Sequence, residues 1–179
     1  FTEIQPVQCP YCGEWIESHT LHIYMLHAPD FLGVHDAVQI AKTNPELVKA
    51  GLSLKKAGNA IVRLLGGREI HPINVKVGGF YRVPTKEEAA ELKKKLEAVL
   101  DIAEETVDFA RSLDIPDFSR DYTFVCIGPH DEYPMNEGRI ASTSGLSIEA
   151  SEFETHFEER QVEHSTALHA VRLPECTSY

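Results

Sequence analysis

Nothing in this chain approaches the ~18 consecutive apolar residues that a membrane-crossing helix needs, so no such span is written in it. Basic charge is scarce: 17 Lys and Arg face 28 Asp and Glu, a formal net charge of −11. That balance excludes general binding to nucleic acid, which requires clustered cations on a phosphate backbone. The dense basic run Lys93-Lys94-Lys95 is bracketed by Glu91 and Glu97 and reads as a solvated helix face. Cysteine is sparse too. Cys9, Cys12, Cys126 and Cys176 do not make a disulfide framework in a chain of 179 residues, and they fit a reducing compartment. No charged-then-apolar leader opens the chain, which starts at Phe1, so a cytoplasmic location is expected. Absent as well are a Gly-Lys-Ser/Thr phosphate loop, a Gly-x-Ser-x-Gly elbow and a dinucleotide glycine fingerprint. The usual signatures of nucleotide binding and serine hydrolysis are therefore missing.

What is present is mostly helical pattern. Gly13 reads as the end of a turn, and Glu14 to Leu26 as a helix with few charges on any side, suited to a buried position. Ala28-Pro29-Asp30 is expected to stop it, because proline disfavours helical geometry in the residue before it. A short amphipathic piece covers Asp36 to Lys42. Asn44 then looks like an N-cap with Pro45 at the first helical position, opening a helix that runs to Leu65 and ends at Gly66-Gly67. Gly51 and Gly58 lie on its apolar face, and each interior glycine costs about 1 kcal/mol relative to Ala. Their presence predicts another backbone packed closely there.

Ile73 to Tyr81 suits a short β-hairpin or bulged strand. Thr85 and Glu88 form a capping box, and the apolar stripe from Ala89 to Ala110 predicts one long amphipathic helix ending near Pro116. Beyond Asp121 the texture changes: Tyr122 to Ile127 and Arg139 to Thr143 read as strands, Glu149 to Glu159 as a short acidic helical turn. His164 to Tyr179 carries no usable periodicity. Helices outnumber strands, so the fold class is α+β, mainly α.

The most informative constellation is Gly66-Gly67-Arg68-Glu69-Ile70-His71-Pro72, closed by Gly78-Gly79. A diglycine lets the chain leave a helix through left-handed conformations, setting Arg68 and His71 on the bend while Pro72 stiffens the exit. On spacing alone the favoured reading is a helix C-cap followed by a solvent-exposed turn, with Arg68 favouring the helix's negative end. The sequence, however, resembles the large (alpha) subunit of nickel–iron hydrogenases of the cytosolic, multi-subunit type (NAD(P)-linked or sulfhydrogenase-like). A Gly-Arg-x-x-His-Pro run closed by Gly-Gly is familiar in that family. The resemblance extends to Glu14-Trp15-Ile16-Glu17-Ser18-His19 and His22, to Leu26-His27-Ala28-Pro29-Asp30-Phe31-Leu32-Gly33, and to Phe80-Tyr81-Arg82-Val83-Pro84-Thr85. It continues through Asp131 to Arg139 and His164 to His169, in the expected order.

The resemblance implies a helical-bundle large-subunit fold with short strands and a β-hairpin after the central helix. It implies reversible splitting of dihydrogen at a Ni–Fe centre. Electrons would pass to the iron–sulfur clusters of a small subunit, then to NAD(P)- or flavin-binding subunits. By that resemblance Arg68, His71 and Pro72 lie against the small subunit near its closest cluster, as donors rather than metal ligands, with Gly66, Gly67, Gly78 and Gly79 shaping the backbone. The family holds its metals with two Cys-x-x-Cys motifs in characteristic contexts, and neither context occurs here. The chain therefore reads as a single stretch, 1–179, from the interior of a large subunit cut at both ends, and is expected to hold no Ni–Fe centre and to be inactive alone.

Two other readings stay open. One is a quinone-site or structural paralogue of a membrane complex, such as the complex I subunit carrying a degenerate form of the same run. The other is a small zinc-stabilised interaction module, with Cys9 and Cys12 completed by His19 and His22; the lack of a second cysteine pair counts against it. His130, His156, His164 and His169 are scattered and are assigned no role. The acidic group around Glu149, Glu152, Glu154, Glu158 and Glu159 reads as a solvated face.

Overall fold

A computed structural model describes residues 8–128 and 138–173; His130, most of the Asp131–Arg139 match and Cys176 lie outside the described residues. The chain divides into two compact units, Phe1–Pro116 and Asp117–Tyr179. The result is α+β and mainly α, with three small antiparallel sheets beside the helices.

The first unit is built on two helices, α1 (Gln8–Leu21) and α4 (Pro45–Gly66). They touch where both lack side chains. A Cβ on Gly58 would lie 2.5 Å from the Gly13 carbonyl oxygen and 2.7 Å from the Glu17 amide nitrogen, and one on Gly13 would lie 2.9 Å from the Gly58 carbonyl. The close backbone approach expected at Gly58 is found, and its partner is Gly13. Gly13 thus ends no turn; it is a buried position inside α1. Gly51 faces Tyr24, whose Cβ stands 2.9 Å from where its own would be.

Helicity does not stop at Leu26 either. Residues His22–His27 widen into a π-helical turn, with the Ala28 amide donating to the Ile23 carbonyl five residues back, and α2 (Ala28–Phe31) follows directly. In a regular helix the Pro29 ring would press on the carbonyl four residues earlier; the wider turn gives that carbonyl room. The path ends at Gly33, in the left-handed region at φ 68°. Asp36 then caps α3 (Ala37–Thr43), its carboxylate accepting from the Gln39 amide at 2.9 Å, and Asn44 caps α4 by accepting from Leu47 at 3.2 Å. Both starts agree with the sequence.

The capping box at Thr85 and Glu88 opens α5 (Lys86–Glu97) as expected. The single long helix is not found. Val99, at φ −116° and ψ 6°, breaks it, and α6 (Leu100–Ser112) starts afresh. The break re-aims α6 onto the core. The Thr106 hydroxyl donates to the Ile102 carbonyl at 2.7 Å and so accepts from the buried Tyr24 hydroxyl, also at 2.7 Å. The Tyr24 and Phe109 rings stack with centroids 5.7 Å apart. Tyr24, Ala28, Ile40, Leu54, Ala57, Ile61 and Val62 form the buried apolar set of this unit.

In the second unit β3 (Val125–Ile127), β4 (Arg139–Ser142) and β5 (Ser147–Glu149) make a three-stranded antiparallel sheet in that order. A 3-10 turn and α7 (Phe153–His156) lead into a hairpin of β6 (Phe157–Val162) and β7 (Ser165–Arg172). The acidic segment is thus only partly helical, and in the stretch from His164 the residues Ser165–Arg172 form a strand. Leu146, Ile148 and Phe157 form a small core with Ile140 and Phe153 packed against it.

Candidate functional site

The site follows from how α4 ends. Gly67 takes φ 84° and its amide donates to the Arg63 carbonyl at 2.9 Å, a left-handed C-cap. The chain then bulges outward and returns: the Gly66 carbonyl accepts from both Ile73 (2.8 Å) and Asn74 (2.9 Å). Gly66 is required for a different reason, since a Cβ there would stand 2.8 Å from the Pro72 Cβ.

Within the bulge, Arg68 folds back on its own loop. Its Nε–H donates to the carbonyls of Ile70 at 2.7 Å and His71 at 2.8 Å. Among the described residues its terminal Nη groups find no acceptor, and the exposed His71 ring finds no partner. His71 itself adopts φ 52°, a left-handed conformation that costs a non-glycine residue roughly 1–3 kcal/mol and clusters at functional loops. Pro72 packs over Gly66, and all three residues are solvent-exposed.

The residue that sequence reasoning missed is Asn74. Its Nδ2 donates to the Leu65 carbonyl at the end of α4 (2.8 Å) and to the Arg82 carbonyl (2.6 Å), while Oδ1 accepts from the Arg82 amide at 2.9 Å. The helix end and the base of the following hairpin are thereby held by one side chain. The sequence held no signal for it beyond a polar residue between Ile73 and Val75, a pattern shared with any solvated turn. The hairpin, β1 (Val75–Lys76) with β2 (Gly79–Phe80), turns at Val77-Gly78 with Gly78 at φ 81°. Gly79, at φ 146°, pairs with Lys76. Gly67, Gly78 and Gly79 thus hold positive φ, and Gly66 sits where a Cβ would meet Pro72.

Around it the surface is apolar. Ile70 is 71% exposed and Val77 fully so, with Ile73, Val75, Tyr81 and Val83 also open to solvent. Lys76 Nζ sits 5.6 Å from the centroid of the Tyr81 ring. At the rim the Arg82 guanidinium pairs with Glu88, and Arg63 with Glu69 at 3.4 Å. The Glu88 carboxyl is held below the usual glutamate range by the Thr85 backbone amide first and by Arg82 second. A groove of about 930 Å³ between α4 and α5 is lined by Lys56, Arg63, Glu69, Glu88, Glu91 and Lys95 among others.

The zinc set is not assembled. Cys9 and Cys12 share the first described turn of α1, but His19 lies seven residues beyond Cys12, ~10 Å along the axis at 1.5 Å per residue. His22 donates Nδ1–H to the Ser18 carbonyl at 2.7 Å, and its ring faces His27 with centroids 6.3 Å apart. No group of three or more His, Cys, Asp or Glu side chains converges among the described residues. The same test applies to a Ni–Fe centre, which needs several soft thiolates together. Cys9 and Cys12 are in α1 and Cys126 is in β3, and no three metal-ligating side chains converge among the described residues, so the described donors do not make the thiolate set that group needs. Among the described residues no helix is long and apolar enough to cross a membrane.

Comparison with solved structures places this architecture in one class. The chain superposes on an NAD+-reducing NiFe-hydrogenase in its H2-reduced state with a TM-score of 0.78, over 88% of this chain and 40% of that one. At 17% identity the likeness establishes the fold. No protein-family model matches the chain. Among curated proteins it is 48% identical over 101 residues to the alpha subunit of sulfhydrogenase 2 from Pyrococcus furiosus, covering 56% of this chain and 23% of that protein. The alpha subunit of sulfhydrogenase 1 from the same organism is 30% identical over 162 residues, 89% of this chain and 38% of that one. A subunit of the vhu F420-non-reducing hydrogenase of Methanocaldococcus jannaschii is 33% identical over 110 residues, 58% and 26% of the two chains. The chain is a homologue of hydrogenase alpha subunits, and it spans between 23% and 38% of the length of these three relatives.

Proposed function

We propose that this chain forms part of the hydrogen-activating alpha subunit of a cytoplasmic nickel–iron hydrogenase, which interconverts dihydrogen with two protons and two electrons. The observation that carries this reading is the 48% identity over 101 residues to a sulfhydrogenase alpha subunit. In the complete enzyme a Ni–Fe centre supplies the hydrogen chemistry; this chain contributes scaffold and a partner-facing loop. That loop is the bulge and hairpin from Gly67 to Val83. Its exposed apolar side chains suit burial against a partner protein, and the Arg68 Nη groups and the His71 ring are donors without a partner inside the described chain.

The partner on this reading is the small subunit with its iron–sulfur clusters, and further subunits bind NAD(P) or flavin. The NAD+-reducing activity of the structural neighbour supports that class of carrier. The relatives are hydrogenases, which favours this reading over a quinone-site paralogue or a zinc module.

The test places Arg68→Ala and His71→Ala in the whole alpha subunit produced with its small subunit. Expected are a loss of copurifying small subunit or of dye-coupled hydrogen oxidation by about tenfold, equivalent to ~1.4 kcal/mol, with nickel content retained. Loss of nickel with docking and electron transfer intact would overturn the placement of the loop.

A further inference from the structure

Cys9 and Cys12 take no part in the proposed function, yet the fold sets them together. They occupy positions three apart in α1, which in helical geometry brings their Cα atoms to ~5 Å, inside the ~4.4–6.8 Å window of a disulfide. Their surroundings differ: Cys12 is exposed and Cys9 half-buried, and both are free thiols. The Cys9 thiol is pushed up, by burial first and by the neighbouring Cys12 second. Cys126 offers an internal contrast, an exposed thiol on β3 in the other compact unit.

We propose that Cys9 and Cys12 form a redox-active dithiol that exchanges with low-molecular-weight disulfides, with Cys12 as the entry thiol and Cys9 as the resolving thiol. The Cys12 thiolate attacks one sulfur of a disulfide R–S–S–R, forming Cys12–S–S–R and releasing one RSH after protonation by solvent. Cys9 gives its proton to solvent and attacks the Cys12 sulfur, and the second RSH leaves. The protein loses two electrons and two protons, and R–S–S–R takes them up as two RSH. Half-burial shields Cys9 from the external disulfide and, by raising its pKa, keeps it a slow thiol toward outside reagents. Its place one helical turn from Cys12 is what lets it attack that sulfur once the mixed disulfide forms. The bridge would close one residue before Gly13, the position where α1 meets the backbone of α4, so the oxidised form stiffens the helix at its crossing.

The test uses the purified chain, equilibrated without oxygen in reduced and oxidised glutathione at graded ratios. Samples are acid-quenched, alkylated and mapped by mass spectrometry. Expected in the wild type is a Cys9–Cys12 bridge, identified as its linked peptide. In Cys9→Ser the mixed disulfide on Cys12 should persist at least about tenfold longer, because the resolving attack is gone. Cys12→Ser, a change at an exposed position, should leave Cys9 slow to react while the helical circular dichroism is unchanged. The proposal is overturned if both cysteines alkylate independently at every ratio, if a Cys12 mixed disulfide persists in the wild type, or if either pairs with another cysteine instead.

Discussion

At Gly58 a methyl group would have nowhere to go. Two backbone atoms of α1 already stand within 2.7 Å of its place, and a backbone cannot swing aside as the end of a long side chain can. Gly58→Ala gains about 1 kcal/mol of helix propensity and loses up to ~3 kcal/mol to overpacking, so the chain should be destabilised by about 2 kcal/mol in denaturant unfolding. An unchanged midpoint would mean that the helices do not cross there. Asn74 is the other residue whose loss should be felt. Asn74→Ala removes three hydrogen bonds, leaving the carbonyls of Leu65 and Arg82 and the Arg82 amide to water. A cost of about 1–2 kcal/mol is expected, with faster hydrogen exchange of the Arg82 amide as the local signature. Of these two residues, the sequence announced only one. A glycine on an apolar helix face advertises a neighbour by its cost, whereas an asparagine looks the same in a solvated turn as in a clip between two carbonyls.

At the scale of elements, legibility followed local chemistry. The starts of α4 and α5 were readable because a cap is written in adjacent residues, and the end of α4 because a diglycine is. The π-helical turn and the break at Val99 were not, since neither carries a breaker at the point of change. One makes room for Pro29, and the other lets Thr106 and Phe109 reach Tyr24. Strands β6 and β7 escaped for a different reason: Glu158 to Gln161 and Thr166 to Ala170 are all exposed, and a ribbon wet on both faces shows no alternation of polar and apolar residues.

The capping box also makes a pH prediction. Glu88 is held below its ordinary pKa by the Thr85 amide and by Arg82. A group depressed in the folded state contributes stability above its unfolded pKa and loses it as pH falls through the folded one. Helicity at the start of α5 should therefore weaken as the solution is acidified below the usual glutamate range. Glu88→Gln should flatten that dependence, and an identical acid profile in the two proteins would refute the assignment.

Across the whole molecule, each compact unit has its own small core, and a large share of apolar surface stays outside both. Leu26, Val38, Ile70, Val77, Phe118 and Phe124 are all exposed. Among the described thiols Cys9 and Cys12 share α1 and Cys126 is in β3, and no group of three or more His, Cys, Asp or Glu side chains forms among the described residues. Residues 1–179 produced alone should accordingly carry no stoichiometric nickel when assayed by elemental analysis; one nickel per chain would show that a soft-ligand site forms after all.

The meeting of α1 and α4 has a consequence for anyone redesigning this scaffold. Where two helices touch through side chains, a lost methyl on one can be answered by a gained methyl on the other, and drift proceeds by compensation. Peptide groups have no alphabet to draw on. The segments around Gly13 and Gly58 must be grafted or exchanged as a single cassette, and libraries that diversify either position should return the parent residue.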